Sequence, residues 1–483
     1  MATKLLGQKM LLAGEWVDRE DKIKVYNPEN NQLIDTVPAA SKEDMELAIE
    51  KAKEGAKIAE SLSVKERMDI LQGAAKRLQE RHEEFARMIA LEGSKTIKEA
   101  RGEVTRTIET IRISAEEARR MTGESINFDQ NAGNEDRMGY YFRFPIGIVA
   151  AITPFNDPLN LVAHKIGPAI AAGNAIIVKP ASETPLSALK LAEAFTEAGL
   201  PKKVMTVITG RGRDIGDTLI ENKEIRMISF TGGLETGEAI AKKAGLKKVS
   251  MELGSNSPAI VLKDADLDHA VSSTVSGSFA AAGQNCLGVQ RIYVENDLYS
   301  SFKDKFVQQT KELKSGNKLS EYTDMGPLIN EKEAKRVEKM VEDALKDGAE
   351  LLTGGKRNGA FYEPTVLANV PRHSAVAVEE IFGPVVILSS VDSFEEAIEK
   401  ANDVNYGLQA GIFTTNVNKA MRGARRLQVG GVMINDSSDF RIDAMPFGGV
   451  KGSGLGREGV KYAMRDMSEE RVVCFKLTDD EEK

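Results

Sequence analysis

The feature that most restricts the fold of this 483-residue chain is a regular alternation of apolar strand patterns and helical patterns between residues 147 and 250. The strand patterns occupy residues 147–152, 175–180, 204–208 and 227–230. Neighbouring parallel strands need a long crossover connection, and a helix between each pair of strands supplies one. The alternation therefore predicts an α/β fold with a parallel sheet covered by helices.

The rest of the chain suggests further units. Strand patterns at residues 258–262 and 291–294 predict a second α/β unit. Residues 10–40 are typical of short strands and turns, whereas residues 41–121 show helical spacing of apolar residues, beginning at Ser41. A chain of this length is too long for one hydrophobic core, so we expect two or three domains.

Two segments far apart in the sequence have the pattern of marginal edge strands. Residues 126–144 are polar and aromatic around a central turn and predict a hairpin, and residues 470–477 alternate as a strand does. Strands of this kind leave backbone groups unpaired. We therefore expect them to pair with each other or with another subunit.

Composition excludes several classes of protein. The net charge of −8 disfavours nonspecific binding to nucleic acid, and two cysteines provide no disulfide framework. Four scattered histidines predict no metal site. A membrane span would not tolerate the polar residues within the apolar stretch 147–181. These are Asn156, Asp157, His164 and Lys165. The apolar run at the N-terminus is too short for a signal peptide, so we expect a cytoplasmic protein without a membrane partner.

Cys286 is the strongest candidate for a reactive group. It follows small and amide-bearing residues (283–285), which in turn follow a Ser/Ala-rich stretch (276–281) that predicts a closely packed helix. Such neighbours let hydrogen-bond donors approach a reacting atom, so we interpret Cys286 as a nucleophile. The alternative is an inert buried cysteine, as most free cysteines are. Cys474, in an apolar strand pattern, fits that alternative.

Two upstream residues complete the set of groups that thiol chemistry on a carbonyl requires. Glu252 is a candidate general base, and Asn156 is a candidate donor to an oxyanion. A base of this kind needs a pKa near the operating pH, so we expect Glu252 to be partly buried. Each residue has an ordinary alternative: Glu252 as a solvated or capping acid, and Asn156 as a turn residue.

Two predicted strand ends have features of a nucleotide site. Lys179 ends one strand, where it can reach ribose hydroxyls, and residues 230–237 end another strand and open a helix. Parallel sheets bind ligands at the carboxyl ends of their strands, and a helix N-terminus with nearby glycines favours a pyrophosphate. Taken singly, a solvated lysine and an ordinary turn explain the two features equally well.

Taken together, these runs resemble the NAD(P)-dependent aldehyde dehydrogenase superfamily. The matching runs are residues 153–156 (TPFN), 178–180 (VKP), 230–232 (FTG), 252–254 (ELG), 283–286 (GQNC), 380–385 (EIFGPV) and 446–454 (PFGGVKGSG). They occur in family order over nearly the whole chain, and the separation of Glu252 and Cys286, 286 − 252 = 34, agrees with the family.

The resemblance implies a Rossmann-like cofactor domain, an α/β catalytic domain and a small β oligomerisation flap. The implied bounds are 1–124 and 145–250 for the cofactor domain, 251–445 for the catalytic domain, 446–469 for a return to the cofactor domain, and 125–144 with 470–483 for the flap. Because family members are dimers or tetramers, we expect a homodimer or homotetramer joined through the flap.

The resemblance also implies residue roles. Cys286 attacks the aldehyde, Asn156 and the Cys286 backbone N–H hold the oxyanion, and Glu252 activates water to hydrolyse the thioester. Other residues contact the cofactor, with Glu380 at the nicotinamide ribose and Phe382 beside the ring. The implied cofactor contacts are Ile152, Thr153, Pro154, Lys179, Ser182, Gly212, Gly216, Phe230, Thr231, Gly232, Gly233, Leu253, Glu380 and Phe382.

Cofactor and substrate preference rest on fewer residues. Relatives that prefer NAD often carry a glutamate at the position of Ser182, where a carboxylate would repel a 2′-phosphate, so the sequence favours NADP over NAD. The chain is similar to the branch with lactaldehyde, non-phosphorylating glyceraldehyde-3-phosphate and succinate-semialdehyde dehydrogenases. Arg106, Arg291 and Arg441 are candidates to bind a small anionic aldehyde, and a surface ion pair is the alternative for each.

Three other functions are alternatives for a chain with these motifs. A coenzyme-A-acylating relative lacks the base glutamate, so Glu252 argues against it. A catalytically silent binding protein on the same fold is expected to lose Cys286, Glu252 or Asn156, yet all three are present. An esterase acting through Cys286 has no use for the expected cofactor residues.

Overall fold

The structure is a computed structural model that describes residues 7–478. The expectations for residues 1–6 and 479–483, which include the start of the N-terminal run and the end of the flap, lie outside the described residues.

The first third of the chain has the predicted order of short strands and then helices. Its elements are β1 (Met10–Leu12), β2 (Glu15–Val17), β3 (Lys22–Tyr26), β4 (Leu33–Pro38), α1 (Lys42–Ser61), α2 (Val64–Glu80), α3 (His82–Glu92), α4 (Ile97–Ala118), β5 (Glu124–Ile126) and β6 (Arg137–Pro145). Ser41 caps α1 as expected, because its hydroxyl accepts from the Asp44 N–H while the Asp44 carboxylate accepts from the Ser41 N–H.

The middle and last parts alternate strands and helices. The first group is β7 (Ile148–Ile152), α5 (Asn160–Ala171), β8 (Ala175–Lys179), α6 (Pro185–Glu197), β9 (Met205–Val207), α7 (Gly212–Glu221), β10 (Met227–Thr231), α8 (Leu234–Ala244) and β11 (Lys248–Glu252). The second group is β12 (Ser257–Val261), α9 (Leu267–Phe279), β13 (Val289–Glu295), α10 (Asn296–Glu312), α11 (Glu331–Lys346), β14 (Glu350–Thr353), β15 (Arg357–Asn358), β16 (Phe361–Tyr362), β17 (Thr365–Ala368), α12 (Ala375–Val378), β18 (Val385–Val391), α13 (Phe394–Asn402), β19 (Gln409–Phe413), α14 (Val417–Arg426) and β20 (Gly431–Ile434). The chain then forms β21 (Gly454–Leu455), α15 (Val460–Asp466) and β22 (Ser468–Lys476).

The first large sheet has the order β2-β1-β9-β8-β7-β10-β11-β21. Its strands β7 to β11 are parallel, as the alternation predicted. Successive residues of a strand face opposite sides, and here Val149 and Ala151 pack into one hydrophobic core while Ile148 and Ala150 pack into another. Helices cover both faces, so this sheet is buried on both sides.

The second large sheet has the order β14-β17-β18-β13-β12-β19-β20 and is parallel from β17 to β20. After it, β21 returns to the first sheet and pairs antiparallel with β11. The chain therefore crosses between the two sheets after Glu252 and again after the second sheet. The α/β fold with two such units is confirmed.

The third sheet joins the two predicted edge segments. β5 and β6 form the hairpin, and β22 pairs antiparallel with β6 from Ser468 opposite Pro145 to Lys476 opposite Arg137. The two segments therefore pair with each other, which is one of the two arrangements expected for them. β22 remains an edge strand.

Two local expectations are corrected. The stretch 276–281 does not stay helical, because α9 ends at Phe279, and Ala281 and Ala282 adopt left-handed backbone conformations. Cys474 lies in a strand but is exposed, because β22 is the edge strand of a small sheet and most of its residues face solvent. Among residues 7–478, none of the helices combines the length and the apolar composition needed to cross a membrane.

Candidate active site

Three consecutive left-handed residues direct the chain toward Cys286. Ala281, Ala282 and Gly283 have φ values of 51°, 56° and 68°. A Cβ on Gly283 would lie 2.1 Å from the Gly383 carbonyl oxygen, so the two loops touch and only glycine fits. The Glu99 carboxylate also accepts from the Ala281 N–H at 2.7 Å. These contacts fix the loop that presents Cys286.

Cys286 opens onto a cavity of about 530 Å³. Asn156 lines the same cavity, and so do Arg106 and Arg441. Arg106 and Arg441, which are 441 − 106 = 335 positions apart in the sequence, thus face the same cavity. Four of the residues predicted from the sequence for catalysis or substrate binding are therefore brought together.

The Cys286 thiol is half-buried beside apolar side chains. Leu408 and Phe447 form a small buried cluster that Cys286 packs against. Burial raises the pKa of the thiol, Glu380 and Glu252 raise it further, and Arg441 opposes them. The thiol therefore keeps its proton until a base removes it or a positive charge enters the cavity.

Glu252 ends β11, next to Thr231 of β10. It is more deeply buried than expected, and neither carboxylate oxygen has a hydrogen-bond partner among the described residues. A Cβ on Gly448 would lie 2.8 Å from Glu252 Oε1, so the loop at Gly448 closes over the carboxylate. Burial raises the pKa of Glu252 well above its ordinary value, and the nearby Glu458 adds to this effect. The carboxyl therefore keeps its proton to higher pH than an exposed glutamate and, once ionised, is the stronger base.

A buried ion cluster, which the sequence analysis missed, lies beside Glu252. Glu458 Oε1 is 2.9 Å from Lys165 Nζ, and Glu458 Oε2 is 3.3 Å from Arg441 Nη2. Burial opposes ionisation of Glu458, but Lys165 and Arg441 outweigh it and hold its pKa at about 2. The sequence held one signal: Lys165 interrupts an apolar helical stretch, and a buried lysine needs a partner.

A second buried cluster fixes the turn that carries Asn156. Glu103 Oε1 accepts from the backbone N–H groups of Leu159 and Asn160 at 2.8 and 3.0 Å. Lys95 Nζ pairs with Glu103 Oε2 at 2.8 Å and also contacts Asp157. The start of α5, and with it the preceding turn that carries Asn156, is thus tied to α4.

The residues expected at the adenosine end lie where β8 meets α6 and α7. Lys179 is buried, and its ammonium donates to the Pro180 carbonyl at 3.1 Å. Burial lowers its pKa and Glu183 opposes the effect. A Cβ on Gly212 would lie 3.9 Å from Lys179 Cε, and no atoms crowd Gly216 or Gly233. A buried cation beside open glycines fits ribose and phosphate groups.

The turn after β10 is close-packed. The Gly232 N–H donates to the Glu252 carbonyl at 3.0 Å, and a Cβ on Gly232 would lie 2.5 Å from the ring of Phe230. A Cβ on Gly237 would lie 2.4 Å from Leu253. Gly233 is the N-cap residue directly before α8. The glycines therefore bring the helix N-terminus against the sheet.

The residues expected near the nicotinamide also adjoin one another. Ile152 pairs with Lys179 in the sheet, and the buried Thr153 hydroxyl has no hydrogen-bond partner among the described residues, beside Pro154. Glu380 Oε1 accepts from the Ser255 N–H at 2.9 Å, and burial raises the Glu380 pKa to about 7. Phe382 adopts a left-handed conformation and packs edge-to-face on Phe155 at 5.7 Å. The orphaned hydroxyl and the second Glu380 oxygen are free to meet ribose hydroxyls.

Arg291 is not a substrate residue, and the prediction for it is corrected. Its guanidinium is buried and donates to the carbonyls of Asn256, Lys400 and Ala401 and to the Tyr293 hydroxyl. It does not line the Cys286 cavity. Closeness to Cys286 in sequence was misleading, because β13 carries Arg291 away from the cavity.

Comparison with known proteins places the chain in a family. The model of the aldehyde dehydrogenase family matches residues 16–473. The chain is 49% identical to 3-sulfolactaldehyde dehydrogenase from Priestia aryabhattai over 464 residues, which cover 96% of this chain and 97% of that relative.

Solved structures agree. Aldehyde dehydrogenase 21 from Physcomitrella patens, in complex with its reaction product succinate, has a TM-score of 0.97 and 42% identity over 99% of this chain and 100% of that one. Glyceraldehyde-3-phosphate dehydrogenase from Methanocaldococcus jannaschii, complexed with NADP, has a TM-score of 0.92 and 45% identity over 95% of this chain and 100% of that one. As its motifs predicted, the chain belongs to the aldehyde dehydrogenase family.

Proposed function

We propose that this enzyme oxidises a short anionic aldehyde to the carboxylic acid through a covalent intermediate on Cys286, with a preference for NADP. The observation that carries the proposal is the cavity in which Cys286 and Asn156 face Arg106 and Arg441. The thiol supplies a nucleophile, the amide supplies a donor for an oxyanion, and the two guanidiniums supply charge for the far end of the substrate.

The chemistry follows from these positions. The Cys286 sulfur forms a bond to the aldehyde carbon, and its proton passes to Glu252. The Asn156 amide and the Cys286 N–H hold the oxyanion, and each such donor contributes about 3 kcal/mol. Loss of hydride from that carbon leaves a thioester. Glu252 gives the thiol proton to solvent and then takes a proton from water, and the resulting hydroxide attacks the thioester carbon. The carbon–sulfur bond breaks, the Cys286 sulfur takes the proton from Glu252, and the carboxylic acid is released.

The cofactor supplies the hydride acceptor and, in its oxidised form, a positive charge that favours the Cys286 thiolate. Lys179 and Ser182 are the residues proposed to hold the 2′-phosphate, and the Ser182 hydroxyl, which donates to the Gly210 carbonyl at 3.3 Å, is half-exposed. Ser182→Glu should weaken NADP more than NAD, by about tenfold for one added repulsive charge. Isothermal titration with both cofactors measures this, and equal weakening of the two would contradict the preference.

The substrate class is supported by the arginines and by the relatives. Arg441 is nearly enclosed, with its side chain 6% exposed, and Arg106 is partly exposed on the same cavity. The relatives described above act on a sulfonated and a phosphorylated aldehyde or bind succinate, which all carry an anionic group. A carboxylate, sulfonate or phosphate is therefore the proposed terminal group.

The deciding experiment compares aldehydes matched in size. Succinate semialdehyde and butyraldehyde, each with NADP, are followed by the absorbance of the reduced cofactor. The native enzyme should have the lower KM for the anionic substrate. Arg441→Gln should raise that KM about tenfold or more, since it removes a charged hydrogen bond. Arg372→Gln, at an exposed arginine outside the cavity, serves as the control. An equal rise in KM for both aldehydes would exclude Arg441 as the anion site.

We also propose that the flap joins subunits into a homodimer or homotetramer. Two features support this assembly: the unpaired edge of β22, and a group of apolar side chains on one face of the small sheet. Met138, Phe142 and Phe475 are about half exposed there, and Tyr140 packs between the two phenylalanines.

A further inference from the structure

A buried histidine lies between the two arginines of the cavity, and the chemistry proposed above gives it no task. Asp443 Oδ1 is 2.8 Å from His164 Nε2 and 3.0 Å from Arg106 Nη2. The same His164 Nε2 is 3.3 Å from Arg441 Nη2. Through these hydrogen bonds Asp443 links the loop that carries Arg441 to α4 and α5. Of these two partners of Asp443, His164 is the one that contacts Arg441.

His164 is neutral in this setting. Burial and the charge of Arg441 lower its pKa, against the opposing effects of Asp443 and Glu458. Burial opposes ionisation of Asp443, but His164 and Arg106 hold the Asp443 pKa below its usual range. His164 Nε2 lies 2.8 Å from the ionised Asp443, and two acceptors would repel each other at that distance, so the proton of His164 lies on Nε2. That nitrogen then cannot accept from Arg441, and the 3.3 Å separation is a packing contact.

Each arginine keeps its own carboxylate. Arg106 Nη2 donates to Asp443, whereas Arg441 Nη2 lies 3.3 Å from Glu458 and its guanidinium stacks over the Phe447 ring at 3.7 Å. The Nη1 atoms of both arginines make no hydrogen bond to the described residues, and both side chains line the Cys286 cavity. Each guanidinium therefore has one end anchored and one end available.

We propose that His164 is a positioning residue for recognition of the anionic end of the substrate. By donating to Asp443 it satisfies that carboxylate without adding charge, so Arg441 stays on Glu458 and the two guanidiniums remain apart. Without His164, Asp443 loses one donor and keeps Arg106 at 3.0 Å and Asn160 Nδ2 at 3.5 Å. Arg441, whose Nη2 lies 3.3 Å from the lost His164 nitrogen, is placed to supply the missing hydrogen bond. Arg441 would then share Asp443 with Arg106 and turn its free donors away from the cavity. This inference rests on the proposed function.

Neutral substitutions isolate this effect. His164→Leu removes the donor, whereas His164→Gln keeps an amide N–H at a similar reach. Neither changes the net charge of the cluster, so a change in anion recognition reports the position of the arginines. The matched control is His82→Leu, because His82 hydrogen-bonds Thr105 of α4 at 3.1 Å, makes no hydrogen bond to Asp443 and does not line the Cys286 cavity.

The measurement is the ratio of kcat/KM for succinate semialdehyde to that for butyraldehyde. His164→Leu should lower this ratio about tenfold, mainly through the KM of the anionic substrate, as expected for one misplaced charged hydrogen bond. His164→Gln should restore most of the ratio, and His82→Leu should leave it unchanged. Thermal unfolding and NADP affinity of each variant identify general damage. If the leucine variant does not fold, His164→Asn, whose amide is too short to reach Asp443, takes its place.

The outcomes separate the two proposals. If the native enzyme does not prefer the anionic aldehyde, the proposed substrate class is wrong and the positioning role is wrong with it. If the native enzyme shows the preference and folded His164→Leu or His164→Asn keeps the native ratio, the inference about His164 alone is overturned.

Discussion

At the scale of single residues, the location of one proton governs the proposed reaction. Burial raises the pKa of both Glu252 and the Cys286 thiol, while Glu458, beside them, stays ionised. A carboxyl with a raised pKa is a stronger base, but it is also neutral over a wider range of pH. The rate of acid formation should therefore rise with pH until Glu252 is ionised.

The same raised pKa predicts how stability depends on pH. The folded protein keeps the Glu252 proton at pH values where the unfolded chain, with a pKa near 4.5, has lost it. Ionisation therefore favours unfolding, and stability falls as pH rises from that value toward the folded pKa. Glu252→Gln removes this effect. The unfolding temperature of the variant minus that of the native enzyme should therefore be larger at about pH 8 than at about pH 5.

Differential scanning calorimetry at the two pH values checks this prediction. The exposed Glu238→Gln, on the surface of α8, provides the matched control and should show no such difference. A relative unfolding temperature of Glu252→Gln that is the same at both pH values would mean that the carboxyl is not buried as described.

Some residues of the candidate site could be proposed from the sequence, and others could not. Cys286, Glu252 and Asn156 were predicted because each carries chemistry within a short distinctive run. His164 and Glu458 were missed, because their importance depends on partners 279 and 293 positions away, Asp443 and Lys165. A local pattern records that a charge interrupts an apolar stretch, but it does not record which distant residue neutralises the charge.

At the scale of elements, the turn before Cys286 depends on one glycine. Gly283 combines a φ of 68° with a Cβ position only 2.1 Å from the Gly383 carbonyl oxygen. Gly383 follows Phe382 in the loop that begins with Glu380. The turn therefore couples the position of the thiol to the loop proposed to bind the nicotinamide ribose.

Gly283→Ala should destabilise the protein and impair both cofactor binding and turnover. Left-handed backbone alone costs alanine about 1–2 kcal/mol, and the clash with Gly383 adds to this. Gly359→Ala is the matched control, because Gly359 has a φ of 60° with no atom within 4 Å of its Cβ position. Chemical denaturation of both variants measures the difference, and equal destabilisation would show that the loops do not touch.

The helix before Cys286 marks the limit of sequence patterns for elements. The small residues through position 281 indicate a helix. The left-handed conformation that Ala281 and Ala282 adopt is unfavourable for alanine, so the sequence does not predict it. Contacts with Glu99 and Gly383 impose that conformation. By contrast, the capped start of α1 at Ser41 depends on neighbouring residues alone, and the sequence predicted it correctly.

At the scale of the whole molecule, the alternation of strands and helices predicted the parallel sheets, but not which strand joins which sheet. β1 and β21 join the first sheet from opposite ends of the chain. Very short strands of this kind carry no pattern of their own, so their place is set by the packed surfaces around them.

The assembly proposed for the flap predicts the effect of one charge. Phe142 is 49% exposed on the apolar face of the small sheet. Phe142→Asp should therefore shift the enzyme toward monomers, because a buried unpaired carboxylate is costly at an interface. Sedimentation velocity measures the shift. Leu246→Asp, at a fully exposed leucine after α8, is the control, and an unchanged oligomer in Phe142→Asp would remove this face from the interface.

The central claim is that the Cys286 sulfur becomes bonded to the substrate carbon, and mass spectrometry of a trapped intermediate tests it most directly. Glu252→Gln is mixed with NADP and succinate semialdehyde, quenched in acid and digested. Slow hydrolysis should leave the succinyl group on the peptide that contains Cys286, as a thioester removed by hydroxylamine. Full incorporation at Cys474 or another residue, or a Cys286→Ala enzyme that still oxidises the aldehyde, would contradict the account.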